Sequence, residues 1–147
     1  MIDNEIYCLK NVGHLQLVDA TSHCQSLNAS QVLPRSKRES DDLVPALLSL
    51  GLISENGRTL VSVGIQNTTE EGGWHDSSGQ LISYFNWLPN EPDNDGGNQS
   101  YAGFQIDGVD GNIGWADFSS VYVMNVVCAK KGQSQGESIK VDYFTIL

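Results

Sequence analysis

The sequence is poor in basic residues and has no long apolar run. It contains 8 Lys and Arg against 18 Asp and Glu, which gives a formal net charge of −10. Such an acidic surface is repelled by nucleic-acid phosphates and by anionic lipids, so we expect neither as a partner. No apolar stretch reaches the roughly 20 residues that span a bilayer. The first residues also lack the basic and apolar regions of a signal peptide.

Motifs for catalysis and for zinc binding are also missing. The three histidines are scattered, and no Cys-x-x-Cys, Gly-x-Ser-x-Gly or phosphate-binding loop occurs. His75 precedes Asp76, but this pair is more typical of a surface turn than of acid–base chemistry. Enzyme activity therefore has little support in the sequence, and we do not expect the protein to be an enzyme.

Two helices are predicted in the first third of the chain. One runs from Ala20 to Leu27 with Asp19 as its N-cap. The other begins near Ser40 and is ended by Gly51, which places Pro45 close to its first turn. At 147 residues the chain is long enough for one domain with a real core.

A strand-rich half follows the helices. Alternating apolar residues, separated by turn residues, predict strands at residues 6–9, 60–65, 81–85, 101–106 and 121–128. Helices followed by strands are typical of an α+β fold.

The segment from residue 86 to residue 117 is too polar to be core and is rich in acidic, amide and glycine residues. Ca²⁺ takes six to eight oxygen ligands from such groups. A cis bond before Pro92 would turn the side chains of Glu91 and Asp93 to one side. Asn, Asp, Gly and Pro also form ordinary turns, so composition leaves a cation site and a solvated loop equally open. Trp87 and Trp115, which bracket the loop, favour a built site.

Several motifs in this order and spacing resemble the C-type lectin-like domain. They are Cys24, Val61–Ile65, Trp74–Gly79, Tyr84–Trp87, Glu91-Pro92-Asp93, Trp115-Ala116-Asp117 and Cys128. The resemblance covers about residues 7–130, so we assign the domain to residues 1–130. Residues 131–147 form a linker-like tail that ends in a candidate extra strand. The resemblance implies an α+β fold with two helices flanking small antiparallel sheets and a long irregular ligand-binding loop.

The resemblance implies a Ca²⁺ site whose ligands are Glu91, Asp93, Asn98 and Asp117, and the same four residues would bind the sugar. Ala116 stands where the family has a ligating Asn, and a methyl group cannot coordinate a metal. The turn of residues 107–112 is a candidate source of a substitute oxygen.

The family's auxiliary calcium site is expected to be empty or very weak. Its acidic positions fall on Asn67, Glu71, Asn94, Asn98 and Gln99. Only Glu71 is charged, and Ca²⁺ affinity depends strongly on ligand charge.

The resemblance also implies a disulfide between Cys24 and Cys128. Cys8 is then unpaired, either as a small buried residue or as a bridge to a second subunit. Ser100 and Ser120 occupy the positions of the family's second disulfide. The expected disulfide and three Asn-x-Ser/Thr triplets favour a secreted or extracellular protein.

Two functions follow from the resemblance. The first is a calcium-dependent carbohydrate-binding module with a carbohydrate or glycoprotein ligand. The alternative is a calcium-independent protein-binding domain that has lost the metal site. Glu91-Pro92-Asp93 is a hybrid of the mannose-type and galactose-type motifs, so the sugar stays open, as does homo-oligomer formation.

Overall fold

The computed structural model describes residues 6–67 and 73–132. A 3₁₀ turn, Asp95–Gly97, lies in the long loop. The other elements, in chain order, are β1 (Ile6–Gln16), α1 (Leu17–Ser26), β2 (Ser30–Gln31), α2 (Lys37–Leu48), β3 (Ser54–Glu55), β4 (Arg58–Gln66), β5 (His75–Asp76), β6 (Tyr101–Asp107), β7 (Ile113–Phe118) and β8 (Val123–Gly132).

The strands of the described residues form one connected sheet in the order β1-β8-β4-β6-β7. Two antiparallel groups meet where β4 and β8 pair in parallel through Val61 and Asn125. The buried Asn125 amide donates to the carbonyls of Ile53 and Leu60 and accepts from the Ile53 N–H. It therefore satisfies backbone groups that the junction would otherwise leave unpaired. The predicted α+β class is confirmed.

The main core lies where α2 and the aromatic residues of the later chain cover this sheet. Burying each large apolar side chain contributes roughly 1.5–3 kcal/mol. The buried residues of this main core include Leu9, Val32, Leu43, Leu47, Val61, Val63, Phe104, Trp115 and Val127.

A smaller cluster fixes α1 against β8. It consists of Ala20, Cys24, Val126 and Cys128. The predicted Cys24–Cys128 disulfide is formed, with 5.4 Å between the two Cα atoms. Cys8 is free and half-buried in β1. The disulfide therefore joins the first helix to the last strand, as the resemblance implied.

Both helices begin earlier than predicted. Asp19 is not the N-cap of α1, because β1 runs directly into the helix at Leu17 and backbone carbonyls of Ser120 and Tyr122 accept the first N–H groups. Ser36 caps α2 by accepting a hydrogen bond from the Glu39 N–H at 3.1 Å, so the helix begins before the predicted Ser40.

Pro45 lies well inside α2 and not near its first turn, so that prediction is also wrong. Its side chain is exposed, and only one further turn of helix follows before the helix ends at Leu48. The ring therefore meets solvent and not the core.

The predicted strands at 60–65, 101–106 and 121–128 correspond to β4, β6 and β8, whereas the strand at 81–85 is wrong. That segment makes a single bridge, from Leu81 to His75, and then carries aromatic residues into the core. β7 lies in the segment predicted as a long loop, but it is a full strand paired with β6. β8 continues to Gly132, and the rest of the predicted tail lies outside the described residues.

Candidate metal and ligand site

The long loop is tied to β7 at its base. The Leu88 N–H donates to the Trp115 carbonyl at 2.9 Å, and the Trp115 N–H donates to the Asn86 carbonyl at 2.7 Å. A Cβ atom on Gly114 would lie 2.9 Å from the Asn86 carbonyl oxygen, so glycine is what allows this approach. The loop therefore starts from a fixed position on the sheet.

Packed indole rings hold the same region. The Trp87 ring lies 5.1 Å from the Trp74 ring and 5.9 Å from the Trp115 ring, measured between centroids. Trp115 is fully buried and Trp74 nearly so. The prediction that tryptophans anchor the loop in a core is confirmed, and these rings are not open platforms for a ligand.

The next part of the loop is a turn that carries two acidic residues. The Glu91 N–H donates to the Leu88 carbonyl at 3.0 Å, and the Glu91–Pro92 peptide bond is cis. Asn90 and Asn94 flank the turn with φ of 69° and 47°, a region that Asn tolerates better than most residues. The cis bond considered from the sequence is present.

Asp117 reaches the same place from β7. Its side chain is only 3% exposed. One carboxylate oxygen accepts the Asp93 N–H at 3.1 Å, and the other accepts the Asn94 N–H at 2.7 Å. Backbone hydrogen bonds offset part of the cost of burying this charge. They also join the strand to the acidic turn.

The structure thus brings three predicted ligands together. Glu91, Asp93 and Asp117 each offer a carboxylate oxygen, and these oxygens all lie within 4.8 Å of one another. Ca²⁺ binds oxygen at 2.3–2.6 Å, so two ligands on opposite sides of one ion lie about 5 Å apart. The three carboxylates fit a single cation of this size.

The raised pKa of Glu91 also indicates a cation site. Burial raises the pKa of its carboxyl to about 7, and a hydrogen bond with Asp117 and the charge of Asp93 add to the effect. Carboxylates tolerate such crowding only when protons or a cation neutralise them. A bound cation would lower this pKa and keep the group ionised.

The other predicted ligands are less well supported. Asn98 is exposed and follows the 3₁₀ turn, with its amide oxygen 3.5 Å from where a Cβ on Gly96 would lie. It stays a predicted ligand. Ala116 is buried in β7 and offers no oxygen.

The turn of residues 107–112 does not replace the missing oxygen. In the β6–β7 hairpin Ala102 pairs with Asp117, whereas Asp107 lies at the opposite end, where the chain turns. The Asp107 carboxylate accepts the N–H groups of Val109 and Asp110 and lies 3.4 Å from Arg58. Its oxygens therefore serve the turn itself.

The auxiliary calcium site is not tested by the described residues. Its one acidic member, Glu71, lies outside them. The Asn94 side-chain oxygen accepts the Gln99 N–H at 3.0 Å and closes the loop. The weak or empty auxiliary site stays a prediction.

Asp76 was predicted to lie in a surface turn. It is in fact buried, and Arg35 lies 2.9 Å from its carboxylate. Burial alone would raise its pKa, but hydrogen bonds from Ser78, Arg35 and the Gln80 backbone lower the pKa to about 2. The Asp-Ser-Ser-Gly turn was the signal that could have revealed this carboxylate as a turn-capping group.

Known proteins share the fold of this chain. No protein-family model matches the chain. Salivary C-type lectin 2 of Aedes albopictus is 28% identical over 129 residues, covering 85% of this chain and 73% of the relative. The mouse scavenger receptor C-type lectin carbohydrate-recognition domain superposes with a TM-score of 0.70 at 22% identity, covering 90% of this chain and 94% of that one. Human lithostathine gives 0.69 at 23% identity, covering 86% and 92%.

The chain therefore has the C-type lectin-like fold, and the resemblance seen in its sequence is confirmed. Neither helix of the described residues combines the length and hydrophobicity needed to span a bilayer.

Proposed function

We propose that this protein is an extracellular, calcium-dependent carbohydrate-binding domain and not an enzyme. The observation that carries the proposal is the convergence of Glu91, Asp93 and Asp117 on one point of a lectin fold. The Cys24–Cys128 disulfide and the similarity to a salivary lectin support an extracellular location. The similarity to carbohydrate-recognition domains supports a sugar ligand.

In this proposal the three carboxylates hold Ca²⁺, and Asn98 adds an amide oxygen. Asp117 is fixed by two backbone N–H groups, so it positions the acidic turn before any ligand arrives. When bound, the ion offers coordination positions to neighbouring hydroxyl groups of a sugar. Carboxylate oxygens of Glu91 and Asp93 would accept hydrogen bonds from the same hydroxyls.

A second function is favoured by the weak points of the ligand set. Ala116 offers a methyl group, and Asn98 is uncharged where the family has a carboxylate. If each carboxylate contributes one oxygen, the three supply fewer ligands than the six to eight that Ca²⁺ prefers. The alternative is a calcium-independent domain that binds a protein with the same fold.

Calorimetric titration with Ca²⁺ separates the two functions. We expect a dissociation constant of roughly 10⁻⁴–10⁻³ M, which is typical of extracellular modules. Asp117→Asn should weaken binding at least tenfold, because it removes a ligand charge. Asp110→Asn is the matched control, since Asp110 is exposed at the opposite end of the β6–β7 hairpin.

Glycan binding is then measured with Ca²⁺ and with EDTA. We expect the protein to bind a glycan in the presence of Ca²⁺. EDTA should abolish this binding, and Asp117→Asn should remove it. A folded wild-type protein that shows no Ca²⁺ heat and no calcium-dependent glycan binding would replace this function with the protein-binding alternative.

A gain-of-function variant tests Asn98. Asn98→Glu places a fourth carboxylate on an exposed position beside the acidic turn, so Ca²⁺ should bind several-fold more tightly. Asn56→Asp adds the same charge in the exposed turn between β3 and β4 and should leave affinity unchanged. Equal effects of the two variants would mean that Asn98 does not face the ion.

A further inference from the structure

A groove lies beside α1, away from the acidic cluster. It consists of two adjoining cavities of about 160 and 390 Å³. Both are lined by Thr21, Gln31, Gly64, Asp76 and Ser77, and none of the three clustered carboxylates lines either one. The larger cavity alone falls within the 300–1,000 Å³ of typical small-molecule sites.

The floor of the groove is held by partly buried polar contacts. The Gln31 amide donates to the Thr21 hydroxyl at 2.8 Å, and its carbonyl accepts from the buried Ser62 hydroxyl. A Cβ atom on Gly64 would lie 3.1 Å from the Gln31 Cβ, so any larger residue would press into the floor. This floor is therefore formed before a ligand binds, which lowers the entropic cost of binding.

The charged groups of the groove are already engaged with one another. Arg35 and Asp76 form an ion pair at 2.9 Å along one wall. The Glu39 carboxylate accepts the Arg35 backbone N–H at 3.2 Å. Because the chain carries a net charge of −10, an anionic ligand would be repelled. These contacts favour an uncharged ligand.

Several neutral polar groups around the groove have no such engagement. The side chains of Gln25, Gln66, Ser77 and Tyr101 make no hydrogen bond to any other described residue. Amides and hydroxyls both donate and accept, as the hydroxyl groups of a sugar do. Tyr101 and Val18 both line the larger cavity. The aromatic ring of Tyr101 and the apolar side chain of Val18 can cover the C–H face of a sugar ring.

We infer that this groove is a second binding site, specific for a neutral oligosaccharide and independent of calcium. It goes beyond the proposed function and does not rest on it, because no carboxylate of the acidic cluster takes part. The hydroxyl groups of the sugar replace the water that solvates the amide and hydroxyl side chains of the groove. The formed floor and the paired charges give the site its shape.

The test uses the whole chain in EDTA, with maltohexaose, N-acetylchitotetraose and mannopentaose as probes. Saturation-transfer NMR and calorimetry should show saturable binding of at least one probe. Ser77→Trp fills the point where the cavities meet, and it should raise the dissociation constant at least fivefold. Ser49→Trp is the matched control, since Ser49 is exposed at the end of α2 and lines neither cavity.

Asp117→Asn separates this site from the acidic cluster. Binding in EDTA should survive that substitution, whereas calcium-dependent glycan binding should not. The inference is overturned if no neutral probe binds in EDTA, or if Ser77→Trp and Ser49→Trp have equal effects. It is also overturned if a heparin hexasaccharide binds the groove more tightly than every neutral probe.

Because a bulky residue could disturb folding, Gln25→Ala provides a milder second variant. Gln25 is exposed on α1 and its side chain has no hydrogen bond to another described residue. It should weaken binding of the same probe at least twofold with an unchanged melting temperature. Unchanged affinity would also contradict the inference.

Discussion

The crowding of carboxylates around Glu91 predicts an unusual pH dependence for the calcium-free protein. The pKa of this group is raised from 4.5 to about 7, so the folded state holds its proton more tightly than the unfolded state does. The associated stability is fully present below pH 4.5 and is lost as the pH rises through about 7. Without calcium, the wild type should therefore become less stable across this range.

The size of the effect follows from the same two pKa values. Raising the pKa from 4.5 to about 7 corresponds to at most roughly 3 kcal/mol. Glu91 is partly exposed, so solvent screening reduces the contribution, and we expect roughly 1–2 kcal/mol. For a domain of this size, the melting temperature should fall by on the order of 5 °C.

The assay is thermal unfolding followed by tryptophan fluorescence, from pH 4.5 to pH 8 in EDTA. Glu91→Gln should remove the loss of stability, because its amide does not titrate. Glu55→Gln, an exposed residue of β3, is the matched control and should behave like the wild type. Comparing each variant with the wild type isolates the contribution of Glu91.

Calcium should reverse the sign of this dependence. A bound ion keeps Glu91 ionised, so its pKa in the folded state falls below the unfolded value and stability then rises with pH. Parallel curves for wild type and Glu91→Gln in EDTA would refute the reasoning, since they would show that the three carboxylates do not crowd one another.

Two further predictions concern cross-links. Cys24→Ser should lower the free energy of unfolding by about 2–5 kcal/mol, measured by urea denaturation, whereas Cys8→Ser should change it little; equal losses would contradict the pairing. Replacing both Ser100 and Ser120 with cysteine should add a disulfide, because the two serines flank paired ends of β6 and β7. That bridge should slow hydrogen exchange in the acidic loop without calcium, and unchanged exchange would show that the loop is already held.

The sequence predicted well those strands that have a clear apolar spacing, and those features that belong to an ordered set of motifs. The paired cysteines, β4, β6, β8 and the acidic turn were all found this way. The boundaries of both helices were misplaced, because Ser36 caps α2 from outside the apolar pattern, and backbone carbonyls of distant residues satisfy the start of α1.

The candidate site was predicted only in part. Glu91 and Asp93 are neighbours in sequence, so their convergence required only a turn. Asp117 comes from another strand, and its two hydrogen bonds to the loop backbone depend on sheet register, which a local pattern cannot show. The prediction that the 107–112 turn supplies a ligand was wrong. The turn is close to Asp117 in sequence, but it lies at the opposite end of the β6–β7 hairpin.

The paired strands β1 and β8 and the Cys24–Cys128 bridge also determine how the domain responds to mechanical force. Ile6 and Gly132 lie opposite each other, so tension applied to the two ends opens β1 from β8 one pair at a time. Once the chain is extended as far as Cys24, the disulfide, which joins residues 104 positions apart, carries the load through a covalent bond. The acidic cluster and most of the sheet lie within this closed loop. A tethered domain of this design can be stretched at its ends while the candidate binding site bears no tension.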